Sequence, residues 1–258
     1  MKLLVIGAGG REHAIVWALH HTATAPMDVF CAPGNAGIGQ AATLLPVPVT
    51  DHRALARFAE SEQVELTIVG PEAPLAAGIV DLFEAQGLPI VGPGQAASRL
   101  EASKVFAKDF MARHRIPTAT YRSAESAQEA LQILRSGEFA AAGGSVVIKA
   151  DGLAAGKGVV VASSPVEAEQ AIEDLMVNHL AGAEAAERVI VEEALSGREA
   201  SVLLFADGKD YVIMPPARDH KRIGDDDTGP NTGGMGSITD DGVLEAGLLQ
   251  RVVSEIVE

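Results

Sequence analysis

The fold of this chain is decided by the stretch Ser145-Val-Val-Ile-Lys-Ala-Asp-Gly-Leu-Ala-Ala-Gly-Lys-Gly-Val-Val-Val161. The pattern predicts a strand, a glycine-rich loop and a second strand, with Lys149 at the end of the first strand and Lys157 inside the loop. The loop glycines let backbone N–H groups approach an anion closely, because no Cβ is in the way. The two lysines add compact positive charge. The stretch is therefore typical of a polyphosphate-binding loop.

This loop is not a P-loop. A P-loop needs the spacing G-x-x-x-x-G-K-[ST] ahead of a helix, but only three residues separate Gly152 from Gly156, and Gly158 follows the lysine. The next residues, Val159 to Val161, favour a strand. We therefore expect a β-turn-β flap over the phosphates. On this segment alone, a glycine-rich hairpin turn with incidental lysines remains the alternative.

Composition excludes several classes of protein. The 258 residues carry a net charge of −15, whereas nucleic-acid binders need a basic face, and anionic membrane surfaces are disfavoured for the same reason. The single cysteine, Cys31, allows no intramolecular disulfide and no cysteine metal site. No apolar run approaches the ~18 residues of a membrane span. We expect a cytoplasmic protein that acts on small molecules, without nucleic acid or membrane partners, and the oligomeric state stays open between monomer and weak dimer.

Residues 1–102 alternate strand and helix signals, which indicates a parallel sheet covered on both faces. Ligands of such sheets bind beyond the carboxyl ends of the strands. A helix is predicted to carry Leu75, Ile79 and Leu82 on one face. The expected strand ends are all rich in glycine or proline: Gly7–Arg11, Pro33–Gly37, Gly70–Glu72 and Gly92–Gly94.

Residues 103–258 have a different, α+β pattern. A helix from Ser103 to about His114 is expected to turn Ala107, Phe110 and Met111 inward. Ser164, followed by Pro165 and Glu167, predicts a capped helix start. We expect a small flap-bearing subdomain at 117–192 and the start of a second subdomain at 193–258. The second is predicted to contain strands at 198–206 and 211–215, a long polar loop at 217–237 and a helix from about Asp241.

The first glycine turn, Gly7-Ala-Gly-Gly-Arg-Glu-His13, invites comparison with a nicotinamide-binding fingerprint. Glu12 replaces its third glycine, and no acidic residue closes the second strand at Cys31-Ala-Pro33, so an NAD-dependent oxidoreductase is disfavoured. A sugar phosphate on the helix N-terminus stays plausible, and so does a turn that only packs the helix on the strand.

Two further segments carry charge. Glu192 and Glu193 end an apolar strand, where a carboxylate and free backbone groups suit an amino-purine edge and ribose hydroxyls; a solvated turn is the alternative. The long loop gathers His220, Lys221 and Arg222, as a phosphate or acyl phosphate requires. The aspartates 225–227 fit a cation, although a solvated turn is the commoner use of such a run.

Five segments in this order resemble the glycinamide ribonucleotide synthetase family of ATP-grasp ligases, and the resemblance covers all 258 residues. It implies a Rossmann-like domain at 1–102, followed by an incomplete ATP-grasp domain at 103–258. The segments are Gly9-Gly-Arg-Glu-His13, Ala32-Pro-Gly-Asn-Ala-Gly37, Val69-Gly-Pro-Glu-Ala-Pro74, Ile148-Lys-Ala-Asp-Gly-Leu-Ala-Ala-Gly-Lys-Gly158, and Asp219-His-Lys-Arg222 with Asp227-Thr-Gly-Pro-Asn-Thr-Gly-Gly-Met-Gly236.

The resemblance implies a reaction in purine biosynthesis. ATP and glycine form glycyl phosphate, and the amine of 5-phosphoribosylamine attacks it to give glycinamide ribonucleotide, ADP and phosphate. It implies catalytic roles for Lys221 and Arg222. Substrate contacts are implied for Gly10, Asn35, Glu72 and Asp219, and ATP contacts for Lys104, Lys149, Asp151, Gly152, Gly156, Lys157, Gly158, Glu192, Glu193, Leu195 and Glu199.

The resemblance also implies ATP with Mg²⁺ or Mn²⁺. The family binds its metal ions through a glutamate and an asparagine in a later segment, and no such motif occurs in residues 1–258. We therefore expect no metal ligand within this chain, which resembles the N-terminal part of the enzyme, and whether this part is active alone stays open. The alternative function is an ATP- or sugar-phosphate-binding protein without ligase activity.

Overall fold

The computed structural model describes residues 1–139, 145–154, 158–225, 228–240 and 242–258. The chain forms two compact units, Met1–Ser103 and Lys104–Glu258. Within the described residues, none of the helices combines the length and the apolar character that a bilayer crossing requires.

The first unit is built on a five-stranded parallel sheet in the order β3-β2-β1-β4-β5. The central strand β1 has five consecutive buried residues, as expected for a parallel strand covered on both faces. Leu4 and Ile6 face one core cluster, and Val5 faces another together with Cys31. The strands are Lys2–Gly7 (β1), Asp28–Pro33 (β2), Thr43–Leu44 (β3), Leu66–Val69 (β4) and Ile90–Val91 (β5).

The helices of this unit confirm the alternating pattern, with one correction. The helix expected through Leu75, Ile79 and Leu82 is broken in two, because Gly78 adopts a left-handed conformation with φ of 83°. Asp51 caps the following helix as its side chain accepts from the Ala54 N–H. The helices are Gly10–Thr22 (α1), His52–Ser61 (α2), Glu72–Ala76 (α3), Ile79–Ala85 (α4) and Gln95–Ala102 (α5), with a 3-10 turn at Ile38–Gln40.

The second unit contains a four-stranded antiparallel sheet in the order β6-β9-β7-β8. Helices α7 and α8 cover it with apolar residues that include Ala130, Ile172 and Leu175. Ser164 caps α8 as predicted, with Pro165 in the first turn. The elements are Lys104–His114 (α6), Tyr121–Ala124 (β6), Ala127–Arg135 (α7), Val146–Ala150 (β7), Val159–Ala162 (β8), Pro165–Met176 (α8) and Val189–Glu193 (β9).

The rest of this unit corrects two expectations. Residues 217–237 were expected to form a loop, but most of them lie in a long antiparallel hairpin, because the polar chain satisfies its backbone groups across β12 and β13. The last helix begins at Ala246 instead of Asp241, a residue outside the described part. The elements are Leu204–Ala206 (β10), Tyr211–Ile213 (β11), Ala217–Gly224 (β12), Thr228–Thr239 (β13), Ala246–Val252 (α9) and a π-helical turn at Val253–Val257.

Helix α6 also differs from the expected orientation. Its buried residues are Val105 and Lys108, whereas the expected inward residues Ala107, Phe110 and Met111 are only half-buried. A lysine on the buried side of a helix needs polar partners, and these partners lie in the candidate site.

Candidate nucleotide-binding site

The predicted flap is a hairpin of β7 and β8. The strands pair from Val146 with Ala162 to Lys149 with Val159, and Ala150 N–H donates to the Gly158 carbonyl at the open end (2.7 Å). Lys149 is thus placed at the mouth of the loop, as its sequence position indicates. Gly156 and Lys157 lie outside the described residues.

Asp151 anchors the start of the loop. Its Oδ1 accepts from the Val105 N–H (2.8 Å) at the start of α6, and its Oδ2 accepts from Arg188 Nη2 (2.6 Å). Gly152 N–H donates to the Ala185 carbonyl (2.9 Å). A Cβ added at Gly152 would lie 2.8 Å from Ala185 Cα, so glycine is needed for close backbone packing. Asp151 thereby fixes the loop, and its predicted contact with ATP stays a prediction.

Lys104 lies at the same loop. Its backbone N–H donates to the Asp151 carbonyl (3.0 Å), and its Nζ lies 3.1 Å from the Gly152 carbonyl oxygen. The structure therefore brings an ammonium from the first turn of α6 to the loop that follows β7. Within this unit, Lys104, Lys149 and the two described loop glycines form one basic, glycine-lined region.

Glu192 lies beneath this region between two lysines. Its carboxylate is buried, with Oε1 2.7 Å from Lys149 Nζ and Oε2 2.8 Å from Lys108 Nζ. The contact with Lys149 follows from sheet register, because Glu192 on β9 lies opposite Val147 on β7 and Lys149 is two residues further along β7, on the same face. In this structure Glu192 therefore balances the charge of the lysine that was predicted to bind phosphate.

Sequence reasoning missed Lys108. In addition to its ion pair with Glu192, its ammonium donates to Thr118 Oγ1 (2.7 Å) and to the Ala119 carbonyl (3.1 Å). It also lies 5.4 Å from the ring centroid of Tyr121. The available signal was its position four residues after Lys104, which places both side chains on the same side of one helix.

The segment after Glu192 is more open. The Glu193 side chain accepts from the Thr120 N–H (2.7 Å), and its own N–H donates to the Thr120 carbonyl (3.0 Å). Leu195 is 73% exposed, so its apolar side chain is accessible for packing against a flat aromatic ring. Glu199 forms an ion pair with Lys221 at 2.9 Å. The adenine and ribose contacts of these residues remain predictions.

The hairpin of β12 and β13 holds the predicted catalytic cations. The hydrogen bond to Glu199 raises the pKa of Lys221, with Asp219 adding a smaller effect. Arg222 donates to the Gly229 carbonyl (3.3 Å) within the hairpin. Since the two cations have different partners, the structure does not bring them to one point.

The first unit has its own cleft at the carboxyl ends of β1, β2 and β4, with a volume of about 650 Å³. Gly10 and Glu72 line it. Asn35 fixes the neighbouring turn, since its Oδ1 accepts from the N–H groups of Gly37 and Ile38. The cleft lies where ligands of parallel sheets bind, so the three predicted substrate residues of this unit lie in or beside one cavity.

The floor of this cleft explains why a dinucleotide does not fit the first turn. Glu12 is buried there and accepts from the Gly9 N–H (2.5 Å). A Cβ on Gly7 or Gly70 would overlap its side chain. A buried carboxylate thus fills the space where a dinucleotide-binding turn needs glycine and room for a pyrophosphate.

The donor set of the second unit fits a polyphosphate. Lysine ammoniums and closely approachable backbone groups are the partners that phosphate oxygens require. In the described ranges, His, Cys, Asp and Glu side chains form no cluster of three or more that could hold a metal ion. The donor set therefore fits the phosphates of a nucleotide.

Comparison with known families gives two matches. Residues 1–101 match the phosphoribosylglycinamide synthetase N domain, and residues 102–258 match the ATP-grasp (A) domain of the same synthetase. Together the two matches span the whole chain, and the predicted resemblance and fold class are confirmed.

Curated relatives agree with these matches. The chain is 51% identical over 257 residues to a phosphoribosylamine–glycine ligase of Ralstonia nicotianae, and 49% identical over 261 residues to that of Escherichia coli K12. Each alignment covers 100% of this chain and 59% of the relative. The chain thus spans about three fifths of the length of these relatives.

Solved structures show the same fold. A phosphoribosylamine–glycine ligase from Thermotoga maritima superposes with a TM-score of 0.73 at 34% identity, over 92% of this chain and 55% of that one. An ADP complex of N5-carboxyaminoimidazole ribonucleotide synthetase has a TM-score of 0.66 at 17% identity, over 88% of this chain and 55% of that one. The second likeness concerns the fold alone.

Proposed function

This chain belongs to the phosphoribosylglycinamide synthetase family, and we propose that it supplies the nucleotide-binding part of an ADP-forming ligase that joins glycine to 5-phosphoribosylamine. The product is glycinamide ribonucleotide, an intermediate of purine biosynthesis. The observation that carries the proposal is the loop after β7: the Lys104 ammonium lies at its Gly152 carbonyl, and Lys149 lies near the end of the strand that leads into it.

The reaction has two steps. A carboxylate oxygen of glycine attacks the γ-phosphorus of ATP, and ADP leaves. The amine nitrogen of phosphoribosylamine then attacks the carbonyl carbon of glycyl phosphate. Phosphate leaves with the electron pair of the C–O bond and takes up the proton that the nitrogen loses. Neither step needs an enzyme nucleophile, so the protein acts by positioning the reactants and neutralising charge.

The residues of this chain have separate roles in the proposal. Lys104 and Lys149 hold the phosphates, while Asp151 keeps the loop in place. Glu192, Glu193 and Leu195 surround the adenine, and Glu199 binds the ribose. Lys221 is cationic at neutral pH, like any lysine, and its hydrogen bond to Glu199 raises its pKa further, so it can balance the charge of an acyl phosphate.

The sugar phosphate is assigned to the cleft of the first unit. Gly10 is the first residue of α1 and lines the cleft, so the helix N-terminus offers backbone N–H groups to a phosphate. Asn35 and Glu72 supply polar groups beside it, and Asp219 is assigned to substrate binding in the second unit.

A divalent cation bound with ATP lowers the negative charge on the transferred phosphate. Mg²⁺ or Mn²⁺ is the proposed ion. Because the described residues offer no cluster for it, no step is assigned to residues of this chain through the metal.

The test measures ADP release from ATP and Mg²⁺ with glycine, with phosphoribosylamine, with both and with neither. We expect ADP release only when both substrates are present. ADP release in mixtures that lack glycine or phosphoribosylamine would contradict the ligase function. Failure of ATP to bind at millimolar concentration would contradict both this function and the alternative of an ATP-binding protein without ligase activity.

A further inference from the structure

The two lysines that flank Glu192 differ in how exposed they are and in how many protein groups they contact. Lys108 is 7% exposed. Its ammonium donates to Thr118 Oγ1 (2.7 Å) and to the Ala119 carbonyl (3.1 Å), and it forms an ion pair with Glu192 Oε2 at 2.8 Å. Lys108 is therefore held inside the protein by three oxygens and is too buried to reach a ligand.

Lys149 is arranged differently. Its side chain is 26% exposed, and it contacts the other carboxylate oxygen, Glu192 Oε1, at 2.7 Å. It also lies near the end of β7, the strand that leads into the glycine-rich loop, and pairs with Val159 across the hairpin. Lys149 can therefore reach solvent and ligand in a way that Lys108 cannot.

We propose that Lys108 is a positioning residue that keeps the charge of Glu192 balanced, so that Lys149 can leave this carboxylate and bind a phosphate. The proposal rests on the proposed function only in placing nucleotide phosphates at Lys149. Lys108 itself does not touch the nucleotide.

The physical reason is the cost of an unpaired buried charge. Removing one partner of a buried ion pair is strongly destabilising, because the remaining charge has lost its water and gained nothing in return. If Lys149 were the sole cation at Glu192, binding a phosphate would require that cost. With Lys108 held by Thr118 and Ala119, the carboxylate keeps a partner whether or not Lys149 moves.

The test compares the affinities of ATP and adenosine, since only ATP reports on the phosphates. In Lys108→Met, Lys149 becomes the remaining cation of Glu192, and we expect ATP to bind about tenfold more weakly. Adenosine affinity should change much less. In Lys108→Met/Glu192→Gln the buried charge is gone, so the ratio of ATP to adenosine affinity should return to the wild-type value or exceed it.

Lys209→Met is the matched control, because this lysine is exposed in the turn between β10 and β11. It should leave both affinities unchanged. Circular dichroism and thermal melts establish that each variant is folded. If Lys108→Met does not fold, Glu192→Gln alone decides the matter: it releases Lys149, so the ratio of ATP to adenosine affinity should rise.

Equal losses for ATP and adenosine in Lys108→Met, or no recovery in the double variant, would overturn the proposal and leave Lys108 a purely structural residue. A fall or no change of the affinity ratio in Glu192→Gln would overturn it as well. Wild-type protein that binds neither ligand would instead contradict the proposed function, so the two failures are distinguishable.

Discussion

Replacing Asp151 by alanine should loosen the loop that is proposed to bind the phosphates. One carboxylate oxygen accepts from the Val105 N–H in the first turn of α6. The other accepts from the side chain of Arg188, the residue before β9. Both Asp151 and Val105 are buried, so water cannot readily replace the lost acceptor. The prediction is a protein with lower stability and a less protected Val105 amide.

The expected magnitude follows from these two contacts. A buried N–H left without an acceptor costs about 1–3 kcal/mol. The Arg188 side chain is 42% exposed, so its ion pair adds at most about 1 kcal/mol after solvent screening. The sum of about 1–4 kcal/mol corresponds to a fall in melting temperature of roughly 2–16 °C for a chain of this size.

The assay combines a thermal melt with amide hydrogen exchange at Val105. Asp151→Asn is the matched variant, because its amide oxygen still accepts from the Val105 N–H while the charge opposite Arg188 is lost. Its stability should fall only by the smaller amount of about 1 kcal/mol. Glu173→Ala, an exposed carboxylate on α8, should have little effect. Equal losses for Asp151→Ala and Asp151→Asn, or unchanged exchange at Val105 in both, would refute the reasoning.

Three further outcomes are expected. Gly70→Ala should destabilise the first unit by about 1–3 kcal/mol, because its Cβ overlaps Glu12. Gly10→Ala has open space around its Cβ and should not destabilise it. Equal chemical-denaturation curves for the two variants would contradict this. Burial raises the pKa of Cys31 from 9.0 to about 11. The free energy of unfolding should therefore fall by at most about 3 kcal/mol between pH 9 and 11, where the thiol ionises only in the unfolded state. A Cys31→Ala variant with the same pH profile would exclude this cause. Ser164→Ala should cost about 1 kcal/mol by removing the cap of α8, and an unchanged melting temperature would show that the cap contributes nothing.

Local signals in the sequence predicted much of the fold. The apolar runs around Leu4 and Ile148 mark buried strands, and Ser164 marks the start of α8, because capping and strand burial depend on residues close in the chain. The break at Gly78 was missed since a glycine inside an amphipathic pattern does not by itself reveal a left-handed residue. The β12–β13 hairpin was missed because a polar, glycine-rich stretch gives no alternating pattern.

The candidate site was predictable only in part. Lys149 and the loop glycines are close in sequence, so a joint role in binding phosphate could be predicted from the sequence. The partners of Lys108 come from β9 and from the segment before β6, and their meeting depends on strand order in the sheet. From the sequence alone, a lysine on α6 is expected to be exposed, because buried lysines are rare. Sequence patterns do not record such distant pairings.

The central claim is that the hairpin of β7 and β8 and its loop bind the phosphates of ATP. Amide hydrogen exchange of residues 145–162, measured with saturating ATP, with adenosine and without ligand, tests it most directly. The account predicts strong protection of this segment by ATP and much weaker protection by adenosine. Equal exchange in all three states, or ATP-dependent protection confined to another part of the chain, would contradict it.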